Sequence, residues 1–299
     1  MKLHYTNHAA LPLPEGRRFP VGKSTLLRET LQAQGRFAAA DFIESGAVGD
    51  AELLRVHDPD YVFRVQAGEL SAAEQRRIGF PWSPQMVERA RRSTGATLAA
   101  CRTALDEGCG ANLGGGTHHA HRDFGSGFCV FNDVAVAARA MQAEGRAERI
   151  AVVDCDVHQG DGTAAIFAGD DTVFSFSIHA ARNFPFRKQQ GDLDVELADG
   201  CEDAEYLDAL TFALPVVFER ARPQLVIYLA GADPYAGDRL GRLKLSMAGL
   251  AERDRLVLQA CADHGSSVAI AMAGGYAYDI SEIIAIHVRT LELAKQCFP

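Results

Sequence analysis

The stretch Val152-Val153-Asp154-Cys155-Asp156-Val157-His158-Gln159-Gly160-Asp161-Gly162 constrains this chain more than any other. Ile150 to Val153 form a short apolar run of β-branched character, which reads as a buried strand. Side chains alternate faces on an extended chain, so Asp154, Asp156 and His158 point one way while Cys155 and Val157 point the other. Two carboxylates and an imidazole leaving the carboxyl end of a strand can chelate a divalent metal. In open α/β sheets that same end is where ligand crevices form. A solvated strand-to-helix turn would use the same Asp, Gln and Gly residues, so the rest of the chain has to decide between the two readings.

The rest of the chain repeats the strand pattern. Strand-like runs occur at 111–113, 150–154, 173–178, 225–230 and 268–272, and helical runs at 134–144, 162–167, 204–221, 248–263 and 280–296. Alternation of this kind implies right-handed crossovers and a parallel sheet covered on both faces. Upstream, the pattern predicts strands at 2–6 and 37–43, short helices at 51–56 and 60–66, and a long amphipathic helix over 84–105. Gly22-Lys23-Ser24-Thr25 ends like a phosphate-binding loop, but that motif needs a glycine where Arg17 stands. It reads instead as the start of a helix running to about residue 34. No linker, repeat or composition break interrupts the chain. The expected fold is α/β: a single three-layer α/β/α domain over residues 1–299 with a mainly parallel central sheet.

Charge and cysteine usage narrow the function. A net charge of -9 argues against a sequence-independent nucleic-acid surface, which needs a basic footprint, and leaves a lysine-rich tail open as a partner. The seven cysteines are scattered and contain no C-x-x-C pair, so neither a disulfide framework nor a cysteine zinc site is expected. The N-terminus lacks the apolar core of a signal peptide, and no apolar run approaches the roughly 18–20 residues of a membrane span. A cytoplasmic location is expected.

Polar residues cluster after four of the strands. Gly114-Gly115-Gly116-Thr117-His118-His119-Ala120-His121 follows the first, and the long Asp/His stretch follows the second. Gly231-Ala232-Asp233-Pro234-Tyr235 and Ala273-Gly274-Gly275-Tyr276 follow the last two. Each has an ordinary reading: an exposed histidine pair, an Asp-Pro turn, a core tyrosine after a bend. Together, HH, DxDxHxxD, GAD and GGY resemble the arginase/deacetylase superfold and, within it, the zinc-dependent histone deacetylases. Gly125-Ser126-Gly127-Phe128-Cys129, Asn132-Asp133 and Val56-His57-Asp58-Pro59-Asp60-Tyr61 are similar to that family's pattern as well. The resemblance covers 2–293 and is strongest over 114–276. The triple glycine before His118, Gln159 after His158, Gly237-Asp238-Arg239-Leu240-Gly241 and the short loop before Lys23 resemble class IV, the histone deacetylase 11-type branch. Thr117 departs from that branch, which carries a bulky aromatic there, and Asp161 matches class I instead.

The resemblance implies zinc on Asp156, His158 and Asp233, a donor set that also suits Fe(II). It implies His119, oriented by Asp161, as general base, and His118, paired with Asp154, as its electrostatic partner. Tyr276 would donate to the oxyanion, and Gly127, Phe128 and Gly275 would bind the substrate. Structural potassium would sit at Asp154, Asp156, His158, Ser177 and Ile178, and a second ion at Phe167, Asp170 and Val173. The implied activity removes acetyl or longer fatty-acyl groups from lysine side chains in a protein or peptide. A small acylated amine such as an acetylpolyamine is the alternative substrate, and a catalytically silent acyl-lysine-binding module is the alternative role. His4, His57, His179 and His264 are read as structural, with His179 the nearest to an exception because it follows a strand.

Overall fold

The computed structural model describes residues 1–7 and 22–299. Its strands are β1 (Lys2–Tyr5), β2 (Phe42–Glu44), β3 (Cys109–Asn112), β4 (Ile150–Asp154), β5 (Val173–Ala180), β6 (Leu193–Leu197), β7 (Leu225–Leu229) and β8 (Ser267–Ala271). They form one sheet in the order β2-β1-β3-β8-β7-β4-β5-β6. Every pair is parallel, so the sheet is more regular than the expected mainly parallel one.

Alternating side chains split the interior into two cores. Along β4, Ala151 and Val153 enter one, while Ile150 and Val152 enter the other. The first core is closed by α1 (Lys23–Ala33), α8 (Asp203–Ala221), α9 (Met247–Asp263) and α10 (Ile280–Cys297). The second is closed by α2 (Asp50–Leu53), α3 (Pro59–Ala67), α4 (Ala72–Ile78), α5 (Pro84–Glu107), α6 (Asp133–Ala143) and α7 (Asp161–Phe167). All of Leu225–Leu229 is buried, which explains why β7 reads as an unbroken apolar run. Truncating Ile227 there to Ala would cost about 2–5 kcal/mol.

The helices begin where local chemistry satisfies their free N–H groups. Ser83 Oγ accepts from Met86 N at 3.1 Å, with Pro84 at the first position, where no N–H is needed. Asn132 Oδ1 accepts from Ala135 N at 2.9 Å and starts α6. Three elements differ from the sequence reading. The expected strand over 37–43 shrinks to Phe42–Glu44, because Asp41 folds back to accept the Ala38 N–H and closes a 3₁₀ turn. α4 is a seven-residue helix set by a Ser71–Glu74 capping box, too short to show periodicity. β6 is a half-exposed edge strand whose charged residues break the apolar pattern. The loop expected before Pro20 lies mostly outside the described residues.

β3, β8, β7 and β4 are successive neighbours in the sheet, and all run the same way. The four polar clusters, far apart in sequence, therefore leave one edge of the sheet side by side.

Candidate active site

The four loops line one cavity of about 760 Å³. On its floor Asp156, His158 and Asp233 each offer a ligand atom, all within 4.8 Å of one another. Asp156 Oδ1 accepts from the backbone N–H of His158 at 3.0 Å and from its Nδ1 at 2.9 Å, and Oδ2 accepts from Gly274 N at 2.8 Å. Asp233 Oδ1 accepts from Val157 N at 2.9 Å. Asp233 Oδ2 is buried without a hydrogen bond: His158 Nδ1, 3.3 Å away, is engaged by Asp156 Oδ1. Burial and the neighbouring Asp156 carboxylate push the Asp233 carboxyl up to about 7. Two buried carboxylates with an unsatisfied oxygen between them are costly unless a cation joins them, so the donor set fits a divalent metal. The close approach of the β8 loop requires glycine: a Cβ on Gly274 would lie 1.8 Å from Asp233 Oδ2.

Arg253 braces this floor from behind. Fully buried on α9, it donates through Nη1 to Gly231 O at 2.6 Å and Cys155 O at 3.3 Å. Those carbonyls sit beside the two aspartate-bearing loops.

The adjacent histidines would diverge on an extended chain, but a turn after the triple glycine brings both into the cavity, with ring centroids 4.1 Å apart. The turn is fastened by Asp133 at the start of α6, which accepts from Gly116 N at 2.9 Å and Thr117 N at 2.7 Å. At Gly116, φ is +76°, and a Cβ would meet Ala273 at 2.6 Å. His118 Nδ1 lies 2.6 Å from Asp154 Oδ2, and His119 Nδ1 lies 2.6 Å from Asp161 Oδ1. A carboxylate only accepts, so each Nδ1 carries the hydrogen, and His119 Nε2 is left as an acceptor. Burial opposes charge on both rings. At His118 the carboxylates of Asp154 and Asp156 outweigh it and raise the ring to about 9. At His119 burial, reinforced by the His118 charge, lowers the ring to about 4. Asp161 accepts a second hydrogen bond, from His121 Nε2 at 3.1 Å, and the two histidines hold its carboxyl below the usual range.

Tyr276 ends the β8 loop on the cavity wall, its ring centroid 6.2 Å from that of Phe128. Burial and the carboxylates of Asp233 and Asp156 push its phenol well above the ordinary value, so it keeps its proton. Phe128 holds a positive φ of 66°, with its N–H bonded to Ile78 O at 2.7 Å. That conformation costs a non-glycine residue about 1–2 kcal/mol and turns the ring to the channel. Gly127 lines the channel beside it. Gly275 does not: it is buried behind the wall, where a Cβ would meet Ile283 and Ala232, and Gly274 takes the cavity position.

Four contributors escaped the sequence reading. Phe184 lines the cavity along with Phe128 and meets His119 edge-on at 4.8 Å; the signal was the Asn183-Phe184-Pro185-Phe186 run just beyond β5. Lys23 lines the cavity and donates to Ala273 O at 2.6 Å; burial lowers it to about 8. His121 and Asp238 act through the hydrogen bonds of Asp161 and Tyr276. His179 stays outside the cavity: its Nδ1 lies 2.9 Å from Ser177 Oγ, within β5. Ser177 pairs in register with Asp154, with Ile178 next to it, while Phe167, Asp170 and Val173 line the turn from α7 into β5. Asp170 N bonds to Phe167 O at 2.9 Å, and Asp170 Oδ1 accepts from Thr172 N at 2.8 Å.

A family model described as Histone deacetylase domain matches residues 18–291. An uncharacterized protein of Picosynechococcus sp. is 45% identical over 276 residues, covering 92% of each chain. A histone deacetylase-like amidohydrolase of Pseudomonas aeruginosa is 33% identical over 268 residues, 84% of this chain and 70% of that one. The crystal structure of an HDAC homolog complexed with SAHA superposes with a TM-score of 0.84 at 25% identity, covering 98% of this chain and 84% of that one.

Proposed function

The chain belongs to the histone deacetylase domain family, and from that membership we propose that it is a zinc-dependent deacylase acting on acylated lysine side chains. The observation that carries this reading is the convergence, in one cavity, of two His–Asp pairs, Tyr276 and a buried Asp–His–Asp set with an unsatisfied carboxylate oxygen. When bound by Asp156, His158 and Asp233, zinc (or Fe(II), which the same donors accept) supplies Lewis-acid polarisation of the acyl carbonyl and a more acidic water. His119, neutral at pH 7 and with Nε2 open, accepts the proton of the attacking water and later delivers it to the leaving lysine amine. Asp161 fixes the tautomer that makes this possible. His118, charged through Asp154, stabilises negative charge nearby. Tyr276 donates its O–H to the developing oxyanion. Phe128 and Phe184 hold the methylenes of the lysine between two apolar walls.

The class IV details of the sequence support long fatty-acyl groups as well as acetyl, with Thr117 on the cavity wall setting the room available. We also assign structural potassium to Asp154, Asp156, His158, Ser177 and Ile178, and to Phe167, Asp170 and Val173. Seven free cysteines support a reducing, cytoplasmic setting, and among the described residues no helix is long and apolar enough to cross a membrane. The test is hydrolysis of paired acetyl-lysine and myristoyl-lysine peptides by zinc-loaded protein, with Tyr276→Phe as control. Turnover that collapses in the control supports the reading. Absence of turnover with zinc bound stoichiometrically would move it to a small acylated amine or to an acyl-lysine-binding module.

A further inference from the structure

The molecule is acidic, with a net charge of -9, yet the mouth of its cavity is not. Among the described residues, five exposed arginines line it: Arg76, Arg77, Arg182, Arg239 and Arg242. Among the described residues the cavity's lining includes no carboxylate besides Asp156 and Asp233 on its floor, and both of those belong to the candidate metal-binding set.

The arginines surround the channel on three sides. Arg76 and Arg77 lie beside the Phe128 wall, where the Arg77 carbonyl accepts from Gly127 N at 3.1 Å. Arg182 precedes the Phe184 wall by two residues, and Arg242 N donates to Asn183 Oδ1 at 2.9 Å on the same side. Arg239 Nε donates to Tyr276 O at 2.7 Å, which places it at the third. Among the described residues, little of the charge on Arg76, Arg77, Arg182 and Arg242 is neutralised. Arg182 and Arg242 share one carboxylate, Asp199, at 4.0 and 2.9 Å. Arg76 and Arg77 have no ion pair among the described residues, although Arg77 stacks over Phe124 at 4.6 Å. Two aromatic rings are exposed here: Phe186, 86% exposed, lines the cavity, and Tyr278, 87% exposed, lies under Arg239 at 5.6 Å. A narrow channel with cations and apolar surface around its mouth suits a polypeptide that inserts one long side chain and lays acidic neighbours on the rim.

We propose that this arginine-lined mouth selects acylated lysines flanked by aspartate and glutamate, so that the preferred substrates are acidic segments of proteins rather than lysine-rich tails. The inference rests on the deacylase reading of the same cavity. It reverses, at the mouth, what the overall acidity of the chain suggests about its partners.

The test uses zinc-loaded full-length protein and three fluorescent acetyl-lysine peptides that differ only in flanking residues: Asp, Ala or Lys. Binding is followed by anisotropy at low and high salt, and turnover is measured on the same peptides. The Asp-flanked peptide should bind about tenfold more tightly than the Lys-flanked one at low salt, the sum of a few exposed pairs. The gap should close at 1 M salt, where screening acts within about 3 Å. The double variant Arg76→Glu/Arg77→Glu and the single variant Arg182→Glu, each checked for an unchanged melting curve, should narrow or invert the gap. Equal binding, or tighter binding of the Lys-flanked peptide, would overturn the proposal. So would displacement of the Asp-flanked peptide by an equal concentration of free Nε-acetyl-lysine, which would assign the rim to a small carboxylate. Turnover reads separately: if the Ala-flanked peptide binds but is not cleaved, the deacylase reading fails while the order of affinities still decides the preference of the mouth.

Discussion

Asp238 Oδ2 accepts the backbone N–H of Tyr276 at 2.5 Å, joining the loop after β7 to the loop after β8. Its other oxygen accepts from Leu240 N at 2.7 Å and Gly241 N at 2.9 Å, so one carboxylate sets the height of the tyrosine above the metal residues. Replacing Asp238 with Asn would oppose an amide N–H₂ to one of those N–H groups. Asp238→Asn should lower kcat about tenfold with little change in KM, and Tyr276→Phe about 10²–10³-fold. Combined, the two should cost little more than Tyr276→Phe alone, because Asp238 acts through the tyrosine. Additive losses in a steady-state comparison of the four proteins would exclude this coupling.

His119 owes its low affinity for protons to burial and then to the charge of His118. Removing that charge with His118→Gln should move the acid limb of the kcat/KM profile to higher pH, because repulsion no longer disfavours the protonated ring. Asp161→Asn should instead leave the wrong tautomer and lower kcat about 10²–10⁴-fold across the profile. A pH–rate series on the three proteins distinguishes the two effects.

The buried pair Asp156–Asp233 would make a bound metal a structural asset as well as a chemical one. Chelation should lower the melting temperature of the wild type at pH 8, where both carboxylates tend to ionise against each other. Asp233→Asn should bind zinc poorly and yet, metal-free, melt above metal-free wild type. Differential scanning fluorimetry with and without chelator, alongside metal analysis, checks both signs.

His57 is buried between Tyr61 and Phe131, accepts from Asn132 N at 3.0 Å, and is lowered to about 4 by burial. Its folded value lies below the unfolded 6.5, so between those values the unfolded chain binds the extra proton. The stability it contributes is whole above pH 6.5 and is lost as pH falls towards 4, by roughly 1.4 kcal/mol per pH unit. Urea midpoints at pH 7, 5.5 and 4.5 should fall less steeply in His57→Gln than in wild type; parallel curves would sink the assignment.

The sequence by itself determined six of the eight strands described and the polar residues at their ends. The alternation around Asp154, Asp156 and His158 is dictated by backbone geometry, and Cys155 and Val157 do enter the opposite core. Apolar runs bounded by turn residues placed most elements within one or two positions, because burial on both faces of a parallel sheet leaves a continuous signal. Short or edge elements such as α4 and β6 gave none, since their residues are half-exposed or too few to show a period.

What only the tertiary structure decided is adjacency. Nothing in the chain order says that β3, β8, β7 and β4 are neighbours, and that order alone brings His119, Tyr276, Asp233 and Asp156 into one cavity. It decided that Gly274 rather than Gly275 faces the cavity, and that Phe184 joins Phe128 in its lining. It also gathered five arginines from three separate segments around one opening. Each is an ordinary surface residue in the sequence, because a local pattern records which face a side chain takes and not which distant loop it will meet.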